Sequence, residues 1–481
     1  MIRANGLSRR TFLKCSAGAL SLAALTPRGT FADAAAAAES AGSAAGAPIR
    51  LSPGVQLFID DYLVAQQSNT RRVVNAPPTR LDHPIVTAAE DHCYQPYVSV
   101  LRDPRTRRFR MWYGIPVESK EGSGSHIASM ESENGMDWIR PHRVLEDAYP
   151  IDYCNSVLDE GPQFADLAKR YKMAWDRKGV CSATSPDGLK WSATGPQPVI
   201  PKTGDIVSLS RDPYRNRYLI IVKLGVKPED GYKGSTPNAK EGTRRIVGQS
   251  VSEDFINWST PQRIIMPDQK DEGVTEYYSV GNVIARGGLL IGLLKVLRDD
   301  LPAERDGKVQ GIGYTVLAWT RDGEHWERDR QPFMDRNPQP GTWDRGMTWG
   351  DCLLPVEDDV FIYYGGYARG HKVERFKERQ LGFARMQRDR FVSRDAGSEG
   401  GTLRTPPLLL EGAKLTLNAS IKGDLRVRLL DGASAVESAP LKGDSLAHEV
   451  QWNSSLQLKG KPVQLEFVLT DARLYGFELI A

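Results

Sequence analysis

Short apolar runs separated by polar turns dominate the chain between residues 50 and about 395. A typical pair has an apolar run at residues 97–101, a turn at 102–104 and an aromatic-rich run at 109–113. Runs of this length, bounded by turn residues, predict buried β-strands rather than helices. The pair recurs in five similar segments of about 70 residues, and a repeat of that length predicts the first two strands of five propeller blades.

One short phrase recurs four times inside these segments. The copies are SENGMDW at 132–138, SPDGLKW at 185–191, SEDFINW at 252–258 and TRDGEHW at 320–326. In three of the four copies an Asn-Gly or Asp-Gly pair predicts a tight turn, and the Trp is predicted to be a buried apolar anchor. We interpret the phrases as structural hairpins and not as catalytic motifs.

The pattern changes after residue 400. Apolar and polar residues now alternate with few aromatics, which predicts a small β-sandwich at 400–481. The apolar segment at 56–64 has no partner of its own, so we expect it to close the ring by pairing with residues 381–385. The predicted fold is therefore all-β, a five-bladed β-propeller at 50–399 followed by a small C-terminal β-sandwich.

The first 48 residues predict export. Arg9 and Arg10 precede a short apolar run and the small residues at 32–34, which is typical of a twin-arginine signal peptide at 1–34. The run is too short to span a bilayer, and residues 35–48 form an Ala-, Ser- and Gly-rich flexible lead-in. We expect a mature protein in the periplasm or outside the cell.

Charge and cysteines narrow the function classes. The chain has 63 Lys and Arg against 60 Asp and Glu, a net charge of +3, which argues against a nucleic-acid groove or an anionic membrane surface. The cysteines of the mature chain lack paired spacing, so no structural zinc is expected. Buried free thiols are the first interpretation and one disulfide is the second, for Cys93, Cys154, Cys181 and Cys352. The oligomeric state is not predicted.

Acidic residues precede the expected innermost strand of every segment. In a propeller these positions point at the central axis, where ligands bind. The acids at this register are Glu90, Asp91, Asp152, Asp205, Glu276 and Asp344. Two carboxylates that face each other across a pocket are what cleavage of a glycosidic bond requires.

The phrases at 57–63, 170–173, 185–191, 343–347 and 472–475 carry a family resemblance. The chain resembles the five-bladed propeller glycoside hydrolases of the clan with families 43 and 32. It is more closely similar to exported bacterial glycosidase-like proteins with a C-terminal β-sandwich. The resemblance implies hydrolysis of a plant- or algal-type oligosaccharide or polysaccharide. The alternatives are a non-catalytic carbohydrate-binding propeller, or phosphorolysis or elimination in the same pocket.

The resemblance also implies residue roles. By register, Asp91 is the base or nucleophile with Glu90 as rival, Asp205 is the stabilising acid with Asp152 as rival, and Glu276 is the proton donor. Glu276 opens the fourth segment, whereas the clan has its acid on the third blade. Trp349 and Trp343 are candidates for stacking on a sugar. The predicted substrate-binding residues are Glu90, His92, Asp152, Tyr277, Trp343, Asp344, Arg345 and His371.

No cofactor is expected. Some propellers of this clan hold a cation in the central channel, so the resemblance leaves a structural calcium there as an open alternative, whereas no residues are assigned as metal ligands.

Overall fold

The computed structural model describes residues 47–481 apart from 96, 118–123, 149, 204, 227–243, 375–377, 413, 433 and 454–459. The predicted signal peptide, almost all of the lead-in and the long insertion at 227–243 lie outside the described residues. The described structure belongs to the compact unit Pro48–Ala481. No helix in this part of the chain is long and apolar enough to cross a membrane.

The N-terminal part consists of short strands and one helical turn. They are β1 (Ile49–Leu51), β2 (Gly54–Leu57), β3 (Gln66–Ser68), β4 (Arg71–Val74), β5 (Thr79–Arg80), β6 (Val86–Thr87) and α1 (Ala88–Asp91). Helix α1 begins at Thr87 because its hydroxyl accepts a hydrogen bond from Glu90 N at 3.0 Å. It ends at His92, which has a left-handed φ of 56°.

Three sheets with the same antiparallel order follow. Group 1 contains β7 (Val98–Arg102), β8 (Phe109–Pro116), β9 (Ser125–Ser132) and β10 (Arg143–Val144). Group 2 contains β11 (Tyr153–Asp159), a 3₁₀ turn (Leu167–Lys169), β12 (Tyr171–Asp176), β13 (Gly179–Ser185), β14 (Ser192–Ala193) and β15 (Ile200–Pro201). Group 3 contains β16 (Val207–Asp212), β17 (Arg217–Val226), β18 (Arg244–Ser252) and β19 (Gln262–Ile265).

A ten-stranded sheet contains two further groups. Group 4 has β20 (Thr275–Val280), β21 (Ile284–Arg286), β22 (Leu289–Arg298), β23 (Ile312–Thr320) and β24 (Glu327–Arg328). Group 5 has β25 (Met347–Val356), β26 (Asp359–Tyr367) and β27 (Gln380–Gln387), together with β5 and β6. A single parallel pair, Gly313 with Met347, joins the two groups, and the other pairs within this sheet are antiparallel.

Side chains at the first strands link the successive groups into a closed ring. In each link a side-chain oxygen accepts a hydrogen bond from a backbone N–H of the next group. The links are Ser99 to Val157 (2.9 Å), Ser156 to Leu209 (2.9 Å), Ser210 to Val283 (2.8 Å), Asn282 to Leu353 (2.6 Å) and Asp351 to Val98 (2.5 Å). The predicted all-β class is confirmed. Five strand groups linked in a closed cycle are what a five-bladed propeller requires. The number of blades itself stays a prediction.

The prediction that the segment at 56–64 closes the ring by pairing with residues 381–385 is wrong. Strands β5 and β6 pair with β27, whereas β2 pairs with the last strand of the chain, Gln464–Ile480. The reason lies in alternate side chains of the 56–64 segment. Phe58 packs against Phe467 and Phe477 in the C-terminal core, while Leu57 and Ile59 pack in the core of the ten-stranded sheet. The segment therefore lies between two cores.

The C-terminal strands, with the exception of one, form a nine-stranded sheet together with β2, β3 and β4. They are β28 (Val392–Ala396), β29 (Gly401–Arg404), β30 (Leu408–Leu410), β31 (Lys414–Leu430), β32 (Ala435–Glu437), β33 (Leu441–Glu449) and β34 (Gln464–Ile480). Strand β30 lies outside this sheet and pairs with β1. The two 17-residue strands β31 and β34 are antiparallel. Residues from both ends of the chain thus build this sheet, and the domain limit at residue 400 stays a prediction.

The four repeated phrases form hairpin turns, as predicted. In each, the third residue accepts two backbone N–H hydrogen bonds of 2.7–3.0 Å; these residues are Asn134, Asp187, Asp254 and Asp322. The fourth residue always has a left-handed φ, with Phe255 at 66° where the other copies have Gly. Trp138 and Trp191 are buried, whereas Trp258 and Trp326 are half-buried. Within the described residues, the four cysteines of the mature chain are buried free thiols.

Candidate functional site

A cavity of about 520 Å³ opens where β11 and β16 begin. It is lined by Asp152, Tyr153, Asp176, Lys178, Thr203, Asp205 and Lys223. We call it the carboxylate cavity. It contains two of the acids predicted from the sequence, Asp152 and Asp205, and a third, Asp176, that was not predicted.

Strand topology brings these side chains together. Asp152 directly precedes β11, and Asp205 lies two residues before β16. Asp176 is the last residue of β12, which runs antiparallel to β11, so Asp176 reaches the same edge of the sheet from the opposite direction. Lys223 on β17 follows Val222, the partner of Val207, and therefore lies across from the start of β16. The sequence rule missed Asp176 because it considered only residues that precede innermost strands.

Hydrogen bonds fix the carboxylates. The Lys223 ammonium forms an ion pair with Asp205. Arg177 Nη1 lies 2.7 Å from Asp152 Oδ1. Asp176 Oδ1 accepts a hydrogen bond from Gly179 N at 3.3 Å, and no ion pair to it is present in the described part of the chain. Two of the three acids are therefore paired with a cation, whereas Asp176 has no such partner among the described residues.

These surroundings displace two pKa values in opposite directions. Burial raises the pKa of Asp176 to about 7, with further contributions from the negative charges of Asp205 and Asp152. Burial also acts to raise the pKa of Asp205, but the charge and hydrogen bond of Lys223 outweigh it, and the net pKa is lowered. Near neutral pH the cavity thus offers a carboxyl group that can donate a proton beside a carboxylate that stays ionised.

An aromatic cluster lies beside these groups. The Tyr278 ring centroid is 5.5 Å from Lys223 Nζ, 4.6 Å from the Trp349 ring and 5.2 Å from the ring of His371. The Arg245 guanidinium lies 5.0 Å from the same ring on the side of Glu276. The Tyr278 hydroxyl is buried with no hydrogen-bond partner among the described residues. Two predicted pocket residues, His371 and Trp349, therefore contact the same tyrosine ring as the cation that pairs with Asp205.

Glu276, the predicted proton donor, is fully buried in an ion-pair network. Its Oε2 accepts a hydrogen bond from Arg245 Nη1 at 2.5 Å, and its Oε1 lies 3.6 Å from Arg244 Nη1. Glu276 is not among the described residues that line the carboxylate cavity. Donation of a proton from Glu276 would require the loss of these pairs, and its catalytic role stays a prediction.

Asp91, the predicted base or nucleophile, is also buried and paired. Its two oxygens accept hydrogen bonds from Arg140 Nε at 2.8 Å and Arg140 Nη2 at 2.9 Å. Glu90 Oε1 lies 3.2 Å from the same guanidinium, and the His92 ring packs edge-on against His142 at 5.8 Å. As far as the chain is described, these side chains lie outside the carboxylate cavity, so their roles stay predictions.

The remaining predicted residues also have partners within the protein, and their substrate-binding roles stay predictions. Asp344 pairs with Arg80, and Trp343 stacks on Tyr364 with ring centroids 5.6 Å apart. Other local contacts are Arg345 Nε to Glu304 Oε1 at 3.1 Å and the Tyr277 hydroxyl to Asp271 Oδ1 at 3.0 Å. No described lining residue of the carboxylate cavity belongs to this set.

The central channel does not fit the calcium that the resemblance left open. A narrow cavity of about 20 Å³ between the first strands is lined in part by Asp351. The buried ammonium of Lys295 pairs with Asp351 and lies 4.8 Å from the Tyr97 ring centroid. Calcium requires six to eight oxygen ligands, and here a lysine already neutralises the acid. The described residues contain no group of three or more His, Cys, Asp or Glu placed to bind a metal.

No protein-family model and no curated protein matches the sequence. Among solved structures, the protein is similar to a complex of BT0996 with RGII, with 12% identity over 65% of this protein and 92% of that one and a TM-score of 0.43. It is also similar to an N-acetylgalactosamine deacetylase from F. plautii in complex with blood group B trisaccharide, with 15% identity, 67% and 96% coverage and a TM-score of 0.42. An exo-β-1,3-galactanase from Phanerochaete chrysosporium with galactose matches with 10% identity, 82% and 99% coverage and a TM-score of 0.39.

Further similar structures are described as a glycoside hydrolase and as a glycosyl hydrolase from Bacteroides ovatus. Likeness at this level of identity and TM-score leaves the activity to be argued from the site itself.

Proposed function

We propose that this protein is a carbohydrate-active enzyme that hydrolyses a glycosidic bond in the carboxylate cavity. The observation that carries the proposal is the pair Asp176 and Asp205, two acids in one cavity with pKa values displaced in opposite directions. Pairs of titratable groups driven apart in this way are typical of the acid and the base of one reaction. The substrate class, a plant- or algal-type oligosaccharide or polysaccharide, follows from the resemblance and belongs to the proposal.

Asp176 is the proton donor in this proposal. With a pKa of about 7 it carries a proton near neutral pH and can give it to the oxygen of the leaving sugar. Asp205, held ionised by Lys223, acts either as nucleophile at the anomeric carbon or as the base that activates water. Asp152 adds negative charge that helps keep Asp176 protonated. The same negative charge stabilises the positive charge that develops on the sugar ring.

This assignment differs from the roles predicted by register for Glu276 and Asp91. Both of those acids face arginine side chains in the structure, at Arg245 and Arg140 respectively. The Asp176 assignment needs no ion pair to break before the proton moves, and this is the physical ground for preferring it.

The experiment that tests the proposal compares leaving groups. Purified mature protein is screened against aryl α- and β-glycosides, furanosides and uronides, with and without added phosphate so that phosphorolysis is detected. We expect Asp176→Asn to lose turnover by about 10²–10⁴-fold on substrates with poor leaving groups and to retain it on activated dinitrophenyl glycosides. Asp205→Asn should lose turnover on both.

Glu276→Gln is the matched comparison, because it neutralises the rival acid. If Glu276→Gln shows the leaving-group dependence and Asp176→Asn does not, the assignment to Asp176 is wrong. If no glycoside is turned over but sugar binding is detected by calorimetry, the non-catalytic binding propeller replaces the enzyme.

Export by the twin-arginine route is part of the proposal. It is supported by the pair Arg9 and Arg10 before the short apolar run. The double change Arg9→Lys and Arg10→Lys should retain the precursor in the cytoplasm, as cell fractionation would show. Unchanged export of that variant would contradict this route.

A further inference from the structure

A second cavity of about 620 Å³ lies at the other end of the blades. Its lining includes β1, the turn into β2, Tyr62, Tyr214, Arg286 and Arg321. We call it the tyrosine groove. Asp205 precedes β16 and Tyr214 follows it, and a six-residue strand is about 20 Å long. The tyrosine groove and the carboxylate cavity therefore lie at opposite ends of strand β16, on opposite faces of the ring of strand groups.

The two most exposed aromatic side chains among the described residues line the groove. Tyr62 is 48% exposed and Tyr214 is 47% exposed, and among the described residues no other Phe, Trp or Tyr is exposed to this degree. Exposed apolar side chains scattered singly are ordinary on protein surfaces, but two aromatic rings in one concave surface are not. Flat, amphipathic rings of this kind provide contact surface for the apolar face of a sugar.

Both tyrosines are held in place without a ligand. The Arg321 guanidinium lies 4.2 Å from the Tyr62 ring centroid, and two hydrogen bonds of 2.7 and 2.8 Å fix that guanidinium to Asp60. The Tyr214 hydroxyl accepts a hydrogen bond from Gly288 N at 3.1 Å. A surface that is already ordered loses little side-chain entropy when it binds.

The charge of the groove indicates the ligand class. Among the described residues, its lining contains three arginines, Arg50, Arg286 and Arg321, and no acidic residue. Each arginine pairs with a carboxylate outside the lining, at Glu411, Asp389 and Asp60 respectively. A guanidinium has five N–H donors, so donors remain for a ligand after one bidentate pair. The lining thus combines aromatic faces with cationic donors.

We infer that the tyrosine groove binds a polysaccharide that contains uronate residues, with the sugar faces on Tyr62 and Tyr214 and the carboxylates toward the arginines. Binding here does not depend on turnover in the carboxylate cavity, so the inference and the proposed function can fail separately.

The test is native affinity electrophoresis of the mature protein in gels that contain polygalacturonate, neutral β-1,4-galactan or no polymer. We expect retardation by polygalacturonate only, weakened by salt because the interaction is partly ionic. The double variant Tyr62→Ala and Tyr214→Ala should bind at least about tenfold more weakly. Lys190→Met, which removes one positive charge from an exposed turn outside both cavities, should bind as the wild type does.

Two controls keep the result specific. The double variant Tyr62→Phe and Tyr214→Phe keeps the rings and should retain binding. Ile256→Ala changes an exposed apolar residue outside the groove and should also retain it. Thermal unfolding verifies that the variants are folded.

Several results would overturn the inference. They are no retardation by polygalacturonate, equal retardation by galactan, or full binding by the folded Tyr-to-Ala variant. A dimer in light scattering that dissociates when Tyr62 is changed to Ala would instead make the groove an interface between two copies of the protein.

Discussion

Two acids at the same edge of the sheets, Asp176 and Glu276, have opposite surroundings. Asp176 faces the carboxylates of Asp205 and Asp152, and burial raises its pKa to about 7. Glu276 faces the guanidinium groups of Arg244 and Arg245. The comparison teaches that two buried acids of one fold can have neighbours of opposite charge, carboxylates around Asp176 and guanidinium groups around Glu276.

The largest expected difference between the two acids is in stability. Glu276→Ala leaves the buried guanidinium of Arg244 without this carboxylate and should lower the free energy of unfolding by about 3–5 kcal/mol. Asp176→Asn replaces a carboxyl group that faces other acids with a neutral amide and should not lower the free energy of unfolding. Urea unfolding at pH 7 measures the free energy of unfolding of both variants, and equal losses in the two would contradict this prediction.

The next difference is in activity and concerns Lys223. Lys223→Met removes the cation that opposes the effect of burial on Asp205, so the pKa of Asp205 should rise. We expect turnover at neutral pH to fall by about tenfold or more, since the ammonium group no longer orients and stabilises the Asp205 carboxylate. Lys190→Met, in an exposed turn, is the control for loss of one positive charge. Wild-type turnover in Lys223→Met would show that Asp205 needs no cation.

A third difference is in the pH dependence of stability. The ordinary pKa of Asp176 is 3.8 and its value in the folded protein is about 7, so between these pH values the folded state binds the extra proton. Stability from this group is therefore complete below about pH 4 and is lost as pH rises toward 7. Asp176→Asn should lose less stability than the wild type between pH 4 and pH 8 in paired urea titrations. Identical losses in the two proteins would contradict the raised pKa.

Much of the fold, and part of the site, could be predicted from sequence. Alternation and turn residues predict the strands and the four hairpins, and register predicts Asp152 and Asp205. Asp176 was missed because only the antiparallel pairing of β12 with β11 places it beside them. The pair of Asp91 with Arg140 spans 49 residues, and no local pattern indicates it. Ring closure was misassigned because the apolar residues at 57–59 serve two cores.

The smallest expected effect concerns Asp152. The charge of Asp152 raises the pKa of Asp176 less than the charge of Asp205 does, and Asp152 is already paired with Arg177. Asp152→Asn should therefore lower the pKa of Asp176 only slightly, and move the alkaline limb of the pH–rate profile slightly toward lower pH. In a ¹³C NMR titration of the Asp176 carboxyl group, a larger shift from Asp152→Asn than from the matched change Asp205→Asn would reverse the order of the two neighbours.

The most direct test of the account is a titration of the Asp176 carboxyl group by ¹³C NMR in the wild-type protein, with Asp176→Asn used to assign its signal. We predict a midpoint near pH 7 that moves lower in Asp205→Asn, because a neighbouring negative charge has been removed. A midpoint near the ordinary 3.8 would contradict it, since Asp176 would then be ionised at neutral pH and could not be the proton donor.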